Sequence, residues 1–212
     1  MLFGTEALKP AADLALQAVR TTANFNWTFI ALLAFVVYVY ANEIKKKNYK
    51  CIAAGLALYM VHWFYEIMNA VICAASGYAL WTVSPGSTSF ILLIGVSWEL
   101  SMMFSIAGLG THKLLPEDPK QKILGINNRV LFAVANSVLF GAVEIFLAGT
   151  PAFIWVYPWW GAIPVTITVY IPFFLAAYLV PDAKPKTQKA FIGGLAAVNA
   201  LLLAVLIPLG VI

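Results

Sequence analysis

The sequence predicts an all-α protein, a polytopic bundle of six membrane-crossing helices, and three observations carry that prediction. The chain is 62% hydrophobic and only 10% charged, with mean hydropathy +0.88, whereas a soluble domain carries about a quarter charged residues. Six apolar runs are each long enough to cross a hydrocarbon core of about 30 Å, which takes about 20 helical residues. The basic residues concentrate in alternate connections. Backbone in lipid must satisfy its own hydrogen bonds, so unbroken runs of this length imply helices rather than barrel strands.

The elements follow in order. Residues 1–21 lack the basic segment and apolar core of a removable signal. Leu8, Leu14, Leu16 and Val19 would give this stretch one greasy face, as in an interfacial amphipathic helix. The spans are then expected at 22–41, 51–76, 89–109, 130–149, 155–180 and 190–212. In the connection between the third and fourth spans, Pro116 and Pro119 exclude a continuous helix. The fifth span contains Pro158, Pro164 and Pro172, which predict a kink with freed carbonyls. Trp155, Tyr157, Trp159 and Trp160 are expected at the headgroup level as an aromatic belt. No linker or low-complexity segment divides the chain, so residues 1–212 are read as one integral membrane domain.

Orientation follows from charge. Lys45, Lys46, Lys47 and Lys50 fill the first connection, Lys113, Lys120, Lys122 and Arg129 the third, and Lys184, Lys186 and Lys189 the fifth. The second and fourth connections carry no Lys or Arg. The positive-inside rule makes the lysine-rich side cytoplasmic and places both termini on the non-cytoplasmic side. The net charge of +4 is then a topology signal with some attraction to anionic lipid, and no nucleic-acid partner is expected. The predicted location is the plasma (inner) membrane or an organelle membrane. Cys51 and Cys73 bound one apolar run, which is no disulfide framework.

Within the apolar runs stand groups that are expensive in hydrocarbon: His62, Glu66 and Asn69 on the second span, Glu99 on the third and Glu144 on the fourth. Counting from the nearest cytoplasmic charge at about 1.5 Å per residue puts Glu66, Glu144 and Glu99 roughly 24, 22 and 21 Å deep. Three helices thus bring a carboxyl group to nearly one level. On the second helix His62, Glu66, Asn69 and Cys73 share a face, and the i, i+4 spacing lets the imidazole of His62 meet the Glu66 carboxyl. Ser137, Gly141 and Glu144 share a face of the fourth helix, with Asn136 beside it. A mid-membrane charge costs about 2.5–3.5 kcal/mol on insertion scales. Three carboxylates cannot all stay ionised there without a counter-charge. They hold a cation, share protons with the help of His62, or serve as neutral hydrogen-bonded staples. His112, beside Lys113, is expected to be a solvated loop residue.

The His62–Glu66 pair in "HWFYE" and Glu99 in "SWELS" resemble the sterol-isomerase-like (EXPERA) membrane family. That family has a histidine and a glutamate four residues apart on its second helix and another glutamate on its third. The resemblance covers the first five helices by topology and these two motifs; the sixth helix and Glu144 have no counterpart. It implies proton shuttling across a carbon–carbon double bond, with Glu66 and Glu99 as acid and base and His62 supporting Glu66.

Other motifs are missing: there is no Walker loop, dinucleotide fingerprint, CxxC pair or HExxH, so no nucleotide or flavin is expected. Two histidines, one of them in a connection, leave no pair of axial ligands for a haem inside the membrane.

Three functions remain open. The first is a lipid or isoprenoid isomerase or hydratase with His62, Glu66 and Glu99 catalytic, and Trp63, Asn69, Trp98, Asn136 and Tyr170 around a hydrophobic small molecule. The second is a proton- or cation-coupled transporter. The third is a subunit of a larger membrane complex, structural or holding a divalent metal on Glu66, Glu99, Glu144 and His62. Membrane lipids, further copies of the chain and other membrane subunits are the expected partners.

Overall fold

The computed structural model describes residues 9–22, 25–86 and 88–212. Helix α1 (Lys9–Ala18) falls within the stretch read as amphipathic; residues 1–8 of that stretch lie outside the described residues. It is followed by α2 (Phe29–Lys45), α3 (Tyr49–Ser76), α4 (Trp98–His112), α5 (Asn128–Ala148), α6 (Ala162–Asp182) and α7 (Pro185–Leu206). Four of these, α3, α5, α6 and α7, are long and apolar enough to cross a membrane. Helices α2 and α4, with 17 and 15 residues, reach only about 26 and 23 Å.

Helix α3 is the hub, packing against α2, α4, α6 and α7. Small residues let α3 and α4 approach closely. A Cβ on Gly108 would lie 2.6 Å from the carbonyl oxygen of Ala54, and one on Gly55 would lie 3.2 Å from that of Ser105, which is the small-residue logic of membrane helix contacts. Helix α5 leans on α6, and α4 also touches α6, yet α4 and α5 have hardly any direct contact. A slot is left between them.

Two expected spans start later than their apolar runs. Ile91–Leu93 (β1) and Val96–Ser97 (β2) pair as a hairpin around Gly95, so the third helix begins at Trp98 and not at residue 89. The β-branched residues of this run suit strands, and Ser97 caps the helix by accepting from Leu100 N. Likewise Trp155 ends a strand, Phe153–Trp155, antiparallel to Trp81–Val83 with Trp81 opposite Trp155. The two connections without Lys or Arg thereby join into a small β cap at one end of the bundle. The aromatic belt is divided accordingly: Trp159 is exposed, but Trp155 and Trp160 are buried, Trp160 stacking on Trp81 at 5.9 Å. In α6, Pro164 sits in the first turn, where no N–H is needed. A π-helical turn, Thr166–Tyr170, ends one residue short of Pro172, with Ile171 between them.

The lysine-rich connections meet at the opposite end. Arg129 Nε donates to Asp182 Oδ2 at 2.7 Å, and Lys50 stands 3.4 Å from Oδ1 of the same carboxylate. Buried Glu43, at the end of α2, pairs with Lys113 and accepts from Asn48 Nδ2 at 2.7 Å. His112 is not a solvated loop residue: it occupies the last turn of α4, with Nδ1 3.5 Å from Cys51 Sγ.

Hydrogen bonding from Lys113 holds the Glu43 carboxyl below its ordinary range. Its contribution to stability is therefore fully present above the unfolded-state value, about 4.3, and is lost as pH falls through the folded-state value. A thermal midpoint measured from pH 6 downward is expected to fall below about pH 4, and Glu43→Gln to flatten part of that fall. An identical profile in the variant would refute the assignment.

Candidate functional site

Glu66 is buried on α3 because this helix is surrounded by four others. Its Oε1 lies 3.4 Å from His62 Nε2, the contact expected from i, i+4 spacing. Trp81, from the β cap, aims its indole N–H at the same carboxyl group, at 3.4 Å from Oε1 and 3.3 Å from Oε2. Trp81 is held in turn: Asn69 Nδ2 donates to its carbonyl at 2.9 Å, and Asn69 Oδ1 accepts from Leu80 N at 2.8 Å. Gly95 closes over this cluster, because a Cβ there would come within 2.5 Å of Asn69 Nδ2 and 2.6 Å of Glu66 Oε2. The His62 ring stacks on Phe104 at 4.3 Å.

His62 and Glu66 form part of the wall of a cavity of about 200 Å³. Glu144 of α5 enters the same cavity, with Tyr170 and Trp155 beside it. The rest of the lining is mostly apolar, with Phe104, Phe140, Phe153 and Phe173 prominent. Leu100 and Met103 of α4 and Phe140, Val143 and Leu147 of α5 line it on the slot side. Val143 is 48% exposed, so the cavity opens sideways between α4 and α5. Several buried polar atoms have no partner: both ring nitrogens of His62 lack a hydrogen bond, as do Glu144 Oε2 and the indole nitrogens of Trp155 and Trp160. Buried polar groups are normally satisfied; of these atoms, those of His62 and Glu144 belong to residues of the cavity wall, where a ligand's polar group would meet them.

The residues singled out in the sequence divide between this cavity and other places. His62, Glu66, Glu144 and Tyr170 come together. Asn69 stands behind Trp81. Glu99 lies in the first turn of α4 and turns to the preceding loop, accepting from Thr88 Oγ1 and Ser89 N, each at 2.6 Å. Trp98 stacks on Phe29 at 5.7 Å, Trp63 packs edge-on to Tyr59 at 6.3 Å, and Asn136 Nδ2 donates to Phe132 O within its own helix. None of these four lines the cavity. The set Glu66, Glu99, Glu144 and His62 is not gathered, and among the described residues no three His, Cys, Asp or Glu side chains are placed to hold a metal ion. Trp81 and Gly95 escaped the sequence reading because both lie outside helices. The isolated Gly in the strand-like run "ILLIGVS" was the available signal.

Fold and composition define the class: a multi-pass integral membrane protein, mostly helical, with a polar site inside its helix bundle. The chain belongs to an uncharacterized membrane protein family, whose profile matches residues 9–208. It is 44% identical over 199 residues to an uncharacterized protein of Archaeoglobus fulgidus, covering 92% of this chain and 94% of that protein. No solved structure matches.

Proposed function

We propose that the protein is a membrane-embedded enzyme that moves protons on a lipid or isoprenoid substrate, as an isomerase or hydratase does, at a site made by Glu66, His62 and Glu144. The observation that carries this reading is the pair of carboxyl groups, one backed by an imidazole, on the wall of an otherwise apolar cavity that opens sideways. A cavity of about 150 Å³ takes a benzene-sized ligand, so 200 Å³ accommodates the reacting part of a larger apolar molecule, whose remainder extends through the slot. Two carboxyl groups in one low-dielectric space do not both ionise unaided. One then carries the proton given to a substrate carbon while the other accepts a proton from a second carbon. Trp81 donates its indole N–H to Glu66 and orients it, the His62 ring stands 3.4 Å from the same carboxyl group, and Glu144 has an oxygen free for the substrate. In this arrangement the second carboxyl group of the sterol-isomerase comparison is Glu144 and not Glu99. The reading also includes six crossings with both termini outside, α2 and α4 being completed by their flanking segments.

The test is solvent-deuterium incorporation. Protein reconstituted in D2O with a panel of olefinic isoprenoid alcohols is expected to yield product heavier by one deuterium. Glu66→Gln and Glu144→Gln are each expected to slow incorporation by about 100-fold or more. Absence of exchange across the panel, or unchanged exchange in both variants, would overturn the proposal.

A further inference from the structure

A second, smaller cavity of about 170 Å³ adjoins the first and shares Leu100, Leu147 and Phe153 with it. Its remaining walls differ in character: Thr88, Ser97 and Glu99 bring hydroxyl and carboxyl groups to it. Thr88, Glu99 and Ala152 are partly exposed, so this chamber reaches the surface beside the β cap, at the end opposite the lysine-rich connections. Its volume has room for several waters, since one needs only about 10–15 Å³ on this measure, and its polar groups supply the partners that ordered water requires. The inner cavity, by contrast, opens toward hydrocarbon, where no water is available. After one turnover of an acid–base pair, the acid has lost a proton and the base has gained one, so both must be reset; a hydration also consumes one water.

We propose that this outer chamber is the inlet through which water and protons reach the buried site, with Glu99 the carboxyl group at its mouth and Leu100, Leu147 and Phe153 the constriction between the chambers. The proposal rests on the acid–base reading above. Among the described residues, the titratable groups along the route are Glu99 outside the constriction and Glu66, His62, Glu144 and Tyr170 inside it. Glu99 thereby stands on the path of the chemistry without touching the reacting atoms. The substrate and its proton source come by separate doors, lipid side and water side.

Cysteine accessibility tests this in reconstituted protein whose native Cys51 and Cys73 are buried. Val169→Cys, and Val165→Cys as a second reporter, place a thiol in the inner cavity. The expected result is modification by a small cationic methanethiosulfonate added to the water phase on the β-cap side, slowed about tenfold by adding Leu147→Trp. Both reporters reacting only with a membrane-soluble maleimide, or at a rate indifferent to Leu147→Trp, would overturn the inlet. That failure is distinguishable from failure of the acid–base reading. An inaccessible thiol combined with deuterium exchange that needs Glu66 sinks the inlet alone, whereas an accessible thiol without exchange in the wild type sinks the enzyme reading on which the inlet's role rests.

Discussion

Gly95→Val is expected to abolish deuterium exchange and to lower stability by about 1–3 kcal/mol, the range for overpacking a filled core. The branched side chain would have to occupy space already taken by Asn69 Nδ2, Trp81 Nε1 and Glu66 Oε2. Two of the three cannot swing aside. Asn69 is fixed by backbone hydrogen bonds at both ends of its amide, and Trp81 is clamped by its strand and by stacking on Trp160. Relief must therefore come from the Glu66 carboxyl, pushed away from Trp81 and His62, or from the hairpin lifting off α3. Gly193→Val on α7 is the control, since nothing lies within 4 Å of its added Cβ, and it should stay within about 0.5 kcal/mol of the parent. Thermal denaturation in detergent and the exchange assay read both effects. Equal behaviour of the two variants would show that the hairpin does not hold the site.

The second large effect is expected at the other end of the bundle. Arg129 is only 4% exposed and donates to Asp182, to Pro116 O at 2.8 Å and to Asn128 Oδ1 at 2.7 Å. It thus ties the third connection to the end of α6. Arg129→Met leaves a mostly buried carboxylate with one distant partner, and breaking such a pair from one side costs about 3–5 kcal/mol. Lys50→Met removes the other cation of Asp182. That lysine is 62% exposed and stands 3.4 Å away, so the expected loss is about 0–1 kcal/mol. Similar losses for the two variants would contradict this ranking. The Arg129 variant should keep its exchange chemistry at temperatures where it stays folded, because the cluster lies at the opposite end from the cavity.

How far each feature was legible depends on the range of the forces that make it. The membrane class and the order of the helices follow from composition and from runs of about 20 apolar residues, which are local properties. The His62–Glu66 contact was legible for the same reason, being one helical turn long. Glu99 was expected beside the other two carboxyl groups and instead has Thr88 and Ser89 as neighbours. Depth depends on a count along the chain, whereas direction depends on the loop before α4, where Thr88 and Ser89 capture the carboxylate. Trp155 and Trp160 looked like headgroup anchors because aromatic residues near a predicted membrane surface usually are. Pairing of their segment with Trp81–Val83, seventy residues away, buries them.

Read alone, the chain thus shows a helical membrane protein with carboxyl groups inside its apolar runs, and it brings His62 against Glu66 on one helix. Hydrophobic periodicity, helix geometry and the cost of charge in hydrocarbon act over a turn or a span and need no tertiary contact to be read. Contacts between distant segments bring Glu144 rather than Glu99 to the cavity of Glu66, close the site with a hairpin and a two-stranded cap, and leave α4 and α5 apart. Those outcomes depend on which faces of distant segments meet, and packing between segments far apart in the chain is written in no single stretch of it.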